Sequence, residues 1–106
     1  MDTLINWIEE LNDSQKVIIV EGKRDKEALI KLGITNQIIT ISNKPQTFFE
    51  SITEEVIILT DLDKHGRKLY AQIRTNFEKR RIKVDRKFRQ FLQHKGISHI
   101  EGLKEE

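Results

Sequence analysis

The chain has 106 residues, 37% of them hydrophobic and 34% charged, which suits one domain with a small core and is too apolar for a disordered polymer. It has no cysteine, which excludes a disulfide, a thiolate metal centre and a cysteine nucleophile. The net charge of +2 conceals two opposed regions: residues 1–15 carry four acids and no base, whereas residues 74–95 carry nine bases against two acids, a polarity that concerns partners more than fold.

Leu4, Ile5, Trp7, Ile8 and Leu11 mark one side of an amphipathic helix over roughly residues 2–12, with Trp7 expected to pin it to the body. The acids Asp2, Glu9 and Glu10 stand where a signal peptide needs positive charge, and the longest apolar run is four residues. The expectation is therefore a cytoplasmic protein with no membrane association. Residues 16–20 hold the first such run, Val17-Ile18-Ile19-Val20. A strand without alternation is buried on both faces, as in a parallel sheet covered by helices.

After it, Asp25 is expected to cap a helix whose Ala28, Leu29 and Leu32 pack inward and which Gly33 ends. Residues 38–41 read as a second strand and 42–45 as a loop. A brief helix with Pro45 near its start carries Phe48, Phe49 and Ile52, and the third strand is 56–59. Leu69, Ile73 and Phe77 recur every fourth residue in a long helix over 64–81. Val84, Phe88, Phe91 and Leu92 continue helical spacing after a break, and residues 97–100 form a short strand or an irregular tail. Alternating strands and helices imply parallel pairing through right-handed crossovers. The whole chain, 1–106, is read as one α/β domain: an N-terminal helix over 1–13, a core over 16–95 and a tail over 96–106. A mainly parallel sheet of about four strands has helices on both faces.

The chemistry concentrates where the apolar runs stop. The first gives way to Glu21-Gly22-Lys23 and the third strand to Thr60-Asp61-Leu62-Asp63, with Gly66 close behind. Two residues apart in extended chain, Asp61 and Asp63 project to one side and can reach one cation. Glu21 joins them only if the first and third strands are neighbours, which displaces the second strand and creates a topological switch point. Oxygen ligands favour Mg²⁺ or Mn²⁺ over Zn²⁺, and Glu21 can otherwise serve as a general acid or base.

The stretch Glu21-Gly22-Lys23-Arg24-Asp25 after one strand and Asp61-Leu62-Asp63-Lys64-His65-Gly66 after a later one resemble the Toprim domain of topoisomerases, bacterial primases, RecR- and OLD-type proteins and ribosomal RNA maturation ribonucleases. The resemblance spans residues 16–95 and is nearest to small stand-alone Toprim proteins and to the Toprim half of the maturation ribonucleases. It implies Glu21 as the proton-transfer acid and Asp61 and Asp63 as Mg²⁺ ligands. Several members of that family carry a third acid where this chain has His65; primase-like members do not.

Nucleic acid is the expected partner, RNA before DNA, with room for a protein partner. Lys23, Lys64 and His65 flank the acids and can meet a phosphate. Arg80, Arg81, Lys83, Arg86 and Lys87 form the core of the basic segment, where clustered cations reward contact with a phosphate backbone. Phe77, Phe88 and Phe91 belong to the core by their spacing, and His94 and His99 are too isolated for a metal pair. The expected function is Mg²⁺-dependent (or Mn²⁺-dependent) phosphodiester chemistry, a nuclease in RNA processing. The alternative is a non-catalytic or partner-dependent nucleic-acid-binding module in an RNA-processing or DNA-repair complex. A phosphatase of the haloacid dehalogenase type would need its nucleophile motif on an early strand and a second acidic pair downstream, where only Asp85 precedes the tail.

Overall fold

The computed structural model describes residues 1–42 and 44–104, so Asn43 of the expected 42–45 loop and the last two residues of the expected tail lie outside the described residues. Helix α1 (Leu4–Ser14) begins at Thr3, whose hydroxyl accepts the Asn6 amide at 3.1 Å. The chain then alternates through β1 (Val17–Val20), α2 (Lys23–Lys31), β2 (Ile38–Thr40), α3 (Gln46–Glu50), β3 (Val56–Ile58), α4 (Lys64–Lys79) and α5 (Lys87–His94), and ends in a 3₁₀ turn at Ile100–Gly102. No helix among the described residues is long and apolar enough to cross a membrane.

The sheet is parallel, in the order β2-β1-β3. β1 pairs Ile19 with Ile39 on one side and with Ile58 on the other. The unbroken apolar runs have the expected meaning. Ile18, Val20, Ile57 and Leu59 turn to one face and join Trp7, Leu11, Leu29, Phe88 and Leu92 in the larger core. Ile19, Val56 and Ile58 turn to the other and meet Phe77, Ile82 and Val84, flanked by Phe49, Tyr70 and Ile73. Helices α1, α2 and α5 thus cover one face and α3 and α4 the other. Every strand residue is buried between them except the two end positions, Val17 and Thr40.

Three strands form the sheet among the described residues, not the expected four. Beyond β3, Val84 makes a single parallel bridge to Val56, the Val56 amide donating to Lys83 and the Asp85 amide to Val56. The segment cannot extend into a strand because α5 starts three residues later and takes the backbone into its own hydrogen bonding. Val84, expected in helical spacing with Phe88, therefore belongs to the sheet edge. Lys16 closes this end, 3.0 Å from Glu55 and 2.7 Å from Asp85.

Trp7 joins α1 to α5. It is wholly buried, its indole N–H donates to the Phe88 carbonyl at 2.9 Å, and its ring meets Phe88 edge-on and stacks on Phe91. Trp7→Ala is expected to destabilise the fold by about 3–5 kcal/mol, read as a drop in the urea midpoint by circular dichroism, and Trp7→Phe by distinctly less.

Candidate metal and phosphate site

β1 and β3 are neighbours and β2 lies outside β1, so the chain reverses direction across the sheet between β1 and β3. At such a switch point the loops leaving the two strands diverge and open a crevice. Glu21 follows β1, and Asp61 and Asp63 lie just beyond β3. One Glu21 carboxylate oxygen accepts the Asp61 amide at 3.2 Å. The expected juxtaposition of Glu21 with Asp61 is therefore present.

The loop carrying the two aspartates is held from several directions. Asp63 caps α4, its Oδ1 accepting the Gly66 amide at 2.7 Å. This bond holds its carboxyl below the ordinary value, with His99 and His65 acting in the same direction. The buried Thr60 hydroxyl donates to the Gly66 carbonyl at 2.8 Å. A Cβ at Gly66 would overlap the backbone of Asp61, so only glycine allows α4 to approach the loop this closely. Asp61 Oδ1 accepts the Ile100 amide at 2.9 Å. Each aspartate thus has one oxygen oriented by a main-chain N–H, the arrangement by which outer hydrogen bonds aim a ligand.

Among the described residues the group able to hold a cation is Asp61, Asp63 and His99: one ligand atom of each lies within 4.8 Å of the others. Glu21 stands beside this group through the Asp61 amide rather than within it. Two carboxylates and one imidazole, open to solvent, suit a divalent cation of the Mg²⁺ or Mn²⁺ kind.

Two further residues were not evident as parts of the site. Arg89, 7% exposed, donates to the Asp61 carbonyl at 2.7 Å, and its guanidinium lies 4.3 Å from the centre of the Tyr70 ring. Burial pulls its guanidinium below the ordinary value, while Asp61 and Glu21 favour the charge. A cation within the apolar stripe Phe88, Phe91, Leu92 was the available signal. Asp25, expected to cap α2, sits inside its first turn; Gly22 is the cap residue and donates its amide to Asp25 Oδ2 at 3.1 Å. Asp25 is buried and its carboxyl is pushed up to about 6, chiefly by burial, with the charges of Asp61, Glu21 and Glu101 acting in the same direction and the Gly22 bond opposing them.

The expected phosphate contacts divide between two ends of the molecule. Lys23, Lys64 and His65 lie in the first turns of α2 and α4 beside the acids, and the Lys23 side chain is 87% exposed. Arg80, Arg81, Lys83, Arg86 and Lys87 lie around the start of β3, roughly 16 Å of extended chain from Asp61. Arg80 caps α3, donating to the carbonyls of Phe49, Glu50 and Ile52, and Arg86 pairs with Glu78.

Comparison with known proteins finds relatives that match most of this chain. The Toprim domain model matches residues 16–93. A UPF0292 protein of Methanocaldococcus jannaschii is 40% identical over 96% of this chain and 88% of its own length. A UPF0292 protein of Pyrococcus furiosus is 39% identical over 91% of this chain and 77% of its own. A solved structure, described as a putative protein from Aquifex aeolicus, superposes with a TM-score of 0.87 at 37% identity, covering 97% of this chain and all of that one.

Two outcomes follow from the site. Gly66→Ala is expected to lower the urea midpoint and to weaken Mn²⁺ binding, because the loop must shift to admit the methyl group. Asp25 titrates higher in the folded chain than in the unfolded one, so the proton it holds stabilises the fold below about pH 4, and that contribution is lost as pH rises through 6. In buffer with EDTA, Asp25→Asn is expected to remove about 1–3 kcal/mol of the wild type's loss of stability between pH 4 and pH 8, measured by urea denaturation.

Proposed function

Because this chain belongs to the Toprim family and, within it, to the UPF0292 proteins, we propose that it is a divalent-metal-dependent nuclease that cuts phosphodiester bonds in RNA during processing. The observation that carries this reading is the Glu21–Asp61 bond across the switch point. It brings a proton-transfer group beside two carboxylates, each of which uses one oxygen, Oδ1, to accept a main-chain N–H.

In this reading Asp61 and Asp63 hold Mg²⁺ or Mn²⁺, and the ion would screen the phosphate charge and stabilise the charge that develops on its oxygens. Glu21 would take the proton of the water that attacks phosphorus and return it to the leaving oxygen as the scissile P–O bond breaks. Its Oε1 is occupied by the Asp61 amide, which leaves Oε2 as the atom that takes and returns that proton. Arg89 holds the Asp61 carbonyl from beneath and keeps the loop fixed. Lys23, Lys64 and His65 contact the scissile phosphate or its neighbours, helped by the positive ends of α2 and α4. Arg81, Lys83 and Lys87 then meet more distant phosphates of a polymer long enough to span the molecule, and this selects nucleic acid over a small phosphoester. Operation within the cytoplasm accords with RNA as substrate.

The test is a pool of end-labelled structured RNA with single- and double-stranded DNA, incubated with Mg²⁺ or Mn²⁺. RNA cleavage that needs the metal is expected, abolished in Asp61→Asn and slowed by about a hundredfold or more in Glu21→Gln. Absence of cleavage, with salt-sensitive retention of one polymer, would instead identify a binding module.

A further inference from the structure

The chain after α5 comes back to the acids and is fastened there. The Leu62 amide donates to the Ser98 carbonyl at 2.8 Å, and the Ile100 amide donates to Asp61 Oδ1 at 2.9 Å. These two bonds hold the residues on either side of His99. Its Nε2 lies 3.3 Å from Asp63 Oδ2, the oxygen not used to cap α4. Ile100 is wholly buried and Leu103 is 5% exposed, both within the larger core. The segment is therefore anchored by packing as well as by hydrogen bonds, and the imidazole has a fixed origin.

An ion pair alone gives little reason for this placement. The His99 and Asp63 side chains are 56% and 41% exposed, and a pair so open to water contributes little to stability. The same geometry has a clear use if a cation sits between the three side chains, whose ligand atoms lie within 4.8 Å of one another. We propose that His99 is a nitrogen ligand that completes the divalent-metal site with Asp61 and Asp63, and that it makes the site select Mn²⁺ over Mg²⁺. This inference rests on the reading of Asp61 and Asp63 as metal ligands and adds the identity of the ion.

The selectivity follows from ligand chemistry. Mg²⁺ takes oxygen ligands, keeps several waters and gains little from an imidazole. First-row transition ions accept imidazole nitrogen readily, with affinities that rise along the series from Mn²⁺. Exchange of one water for His99 thus strengthens Mn²⁺ binding and leaves Mg²⁺ nearly unaffected. The His99 ligand also reaches the site from a segment that touches both aspartates, so the cation draws the tail and the β3–α4 loop together.

The decisive measurement is titration calorimetry of Mn²⁺ and of Mg²⁺ into the full chain without nucleic acid, in wild type, His99→Ala and Asp61→Asn. Pulsed paramagnetic resonance of the Mn²⁺-loaded wild type supplies a reading that needs no variant. Wild type is expected to bind Mn²⁺ more tightly than Mg²⁺ and to show nitrogen coupling from one imidazole. In His99→Ala the Mn²⁺ affinity is expected to fall by about ten- to a hundredfold, with Mg²⁺ affinity within about twofold of wild type. Asp61→Asn should lose both ions. An unchanged Mn²⁺-to-Mg²⁺ ratio in His99→Ala, with no nitrogen coupling in wild type, overturns the role of His99 while loss of binding in Asp61→Asn leaves the carboxylate site standing. Failure of wild type to bind either ion overturns both.

Discussion

The parallel pairing of β1 with β3 is the constraint from which the rest of the molecule proceeds. Ile19 lies opposite Ile58, and the Leu59 amide donates to the Ile19 carbonyl at 2.8 Å, so the two chains leave the sheet side by side. Glu21 and Asp61 then meet without any special loop. The same pairing makes β1 the central strand, buried on both faces, and obliges the connections to cross above and below it. A one-residue slip would exchange the two core faces of β3, sending Ile57 and Leu59 toward α4 and Val56 and Ile58 toward α5. Register, core and acid cluster are therefore one choice.

That choice concentrates negative charge at one rim. Glu21, Asp25, Asp61 and Asp63 gather there, and the fold manages each by a different means. Asp63 is stabilised as a carboxylate by the Gly66 amide; Asp25 is buried and holds its proton to about pH 6. Arg89 supplies a permanent positive charge from behind, stacked on Tyr70 and bonded to the Asp61 carbonyl. A protein selected for stability alone would have little reason to bury an arginine beneath a cluster of acids. Breaches of local economy of this kind are expected where a site must hold its shape before its ligand arrives.

The basic residues have a divided role. Arg80 is the plainest case: counted from the chain it belongs to a cationic segment, yet three main-chain carbonyls at the end of α3 occupy its guanidinium. Arg86 answers Glu78, and Lys16 sits between Glu55 and Asp85. Charge along the sequence overstates the positive surface free for a partner, because it records neither helix ends nor the acids that return from elsewhere in the fold.

The chain by itself determined its strands, its helices and the residues that end them. An apolar run of β-branched residues without alternation requires burial on both sides, and a fourfold spacing of Leu69, Ile73 and Phe77 requires one covered helix face; both are short-range facts. The same reasoning reached Glu21, Asp61 and Asp63, since acids at the ends of buried strands lie at a sheet's rim. It missed at Val84, read into the helical spacing of Phe88 but placed at the sheet edge by one bridge to Val56, and at Asp25, which lies inside the turn it was expected to begin. Only the tertiary structure brought His99 and Arg89 to the site. The Ile100 amide meets Asp61 across 39 residues and the Arg89 guanidinium meets it across 28. No local pattern encodes those encounters, because they depend on how α5 packs against β3 and where the chain goes after it, which the whole core decides.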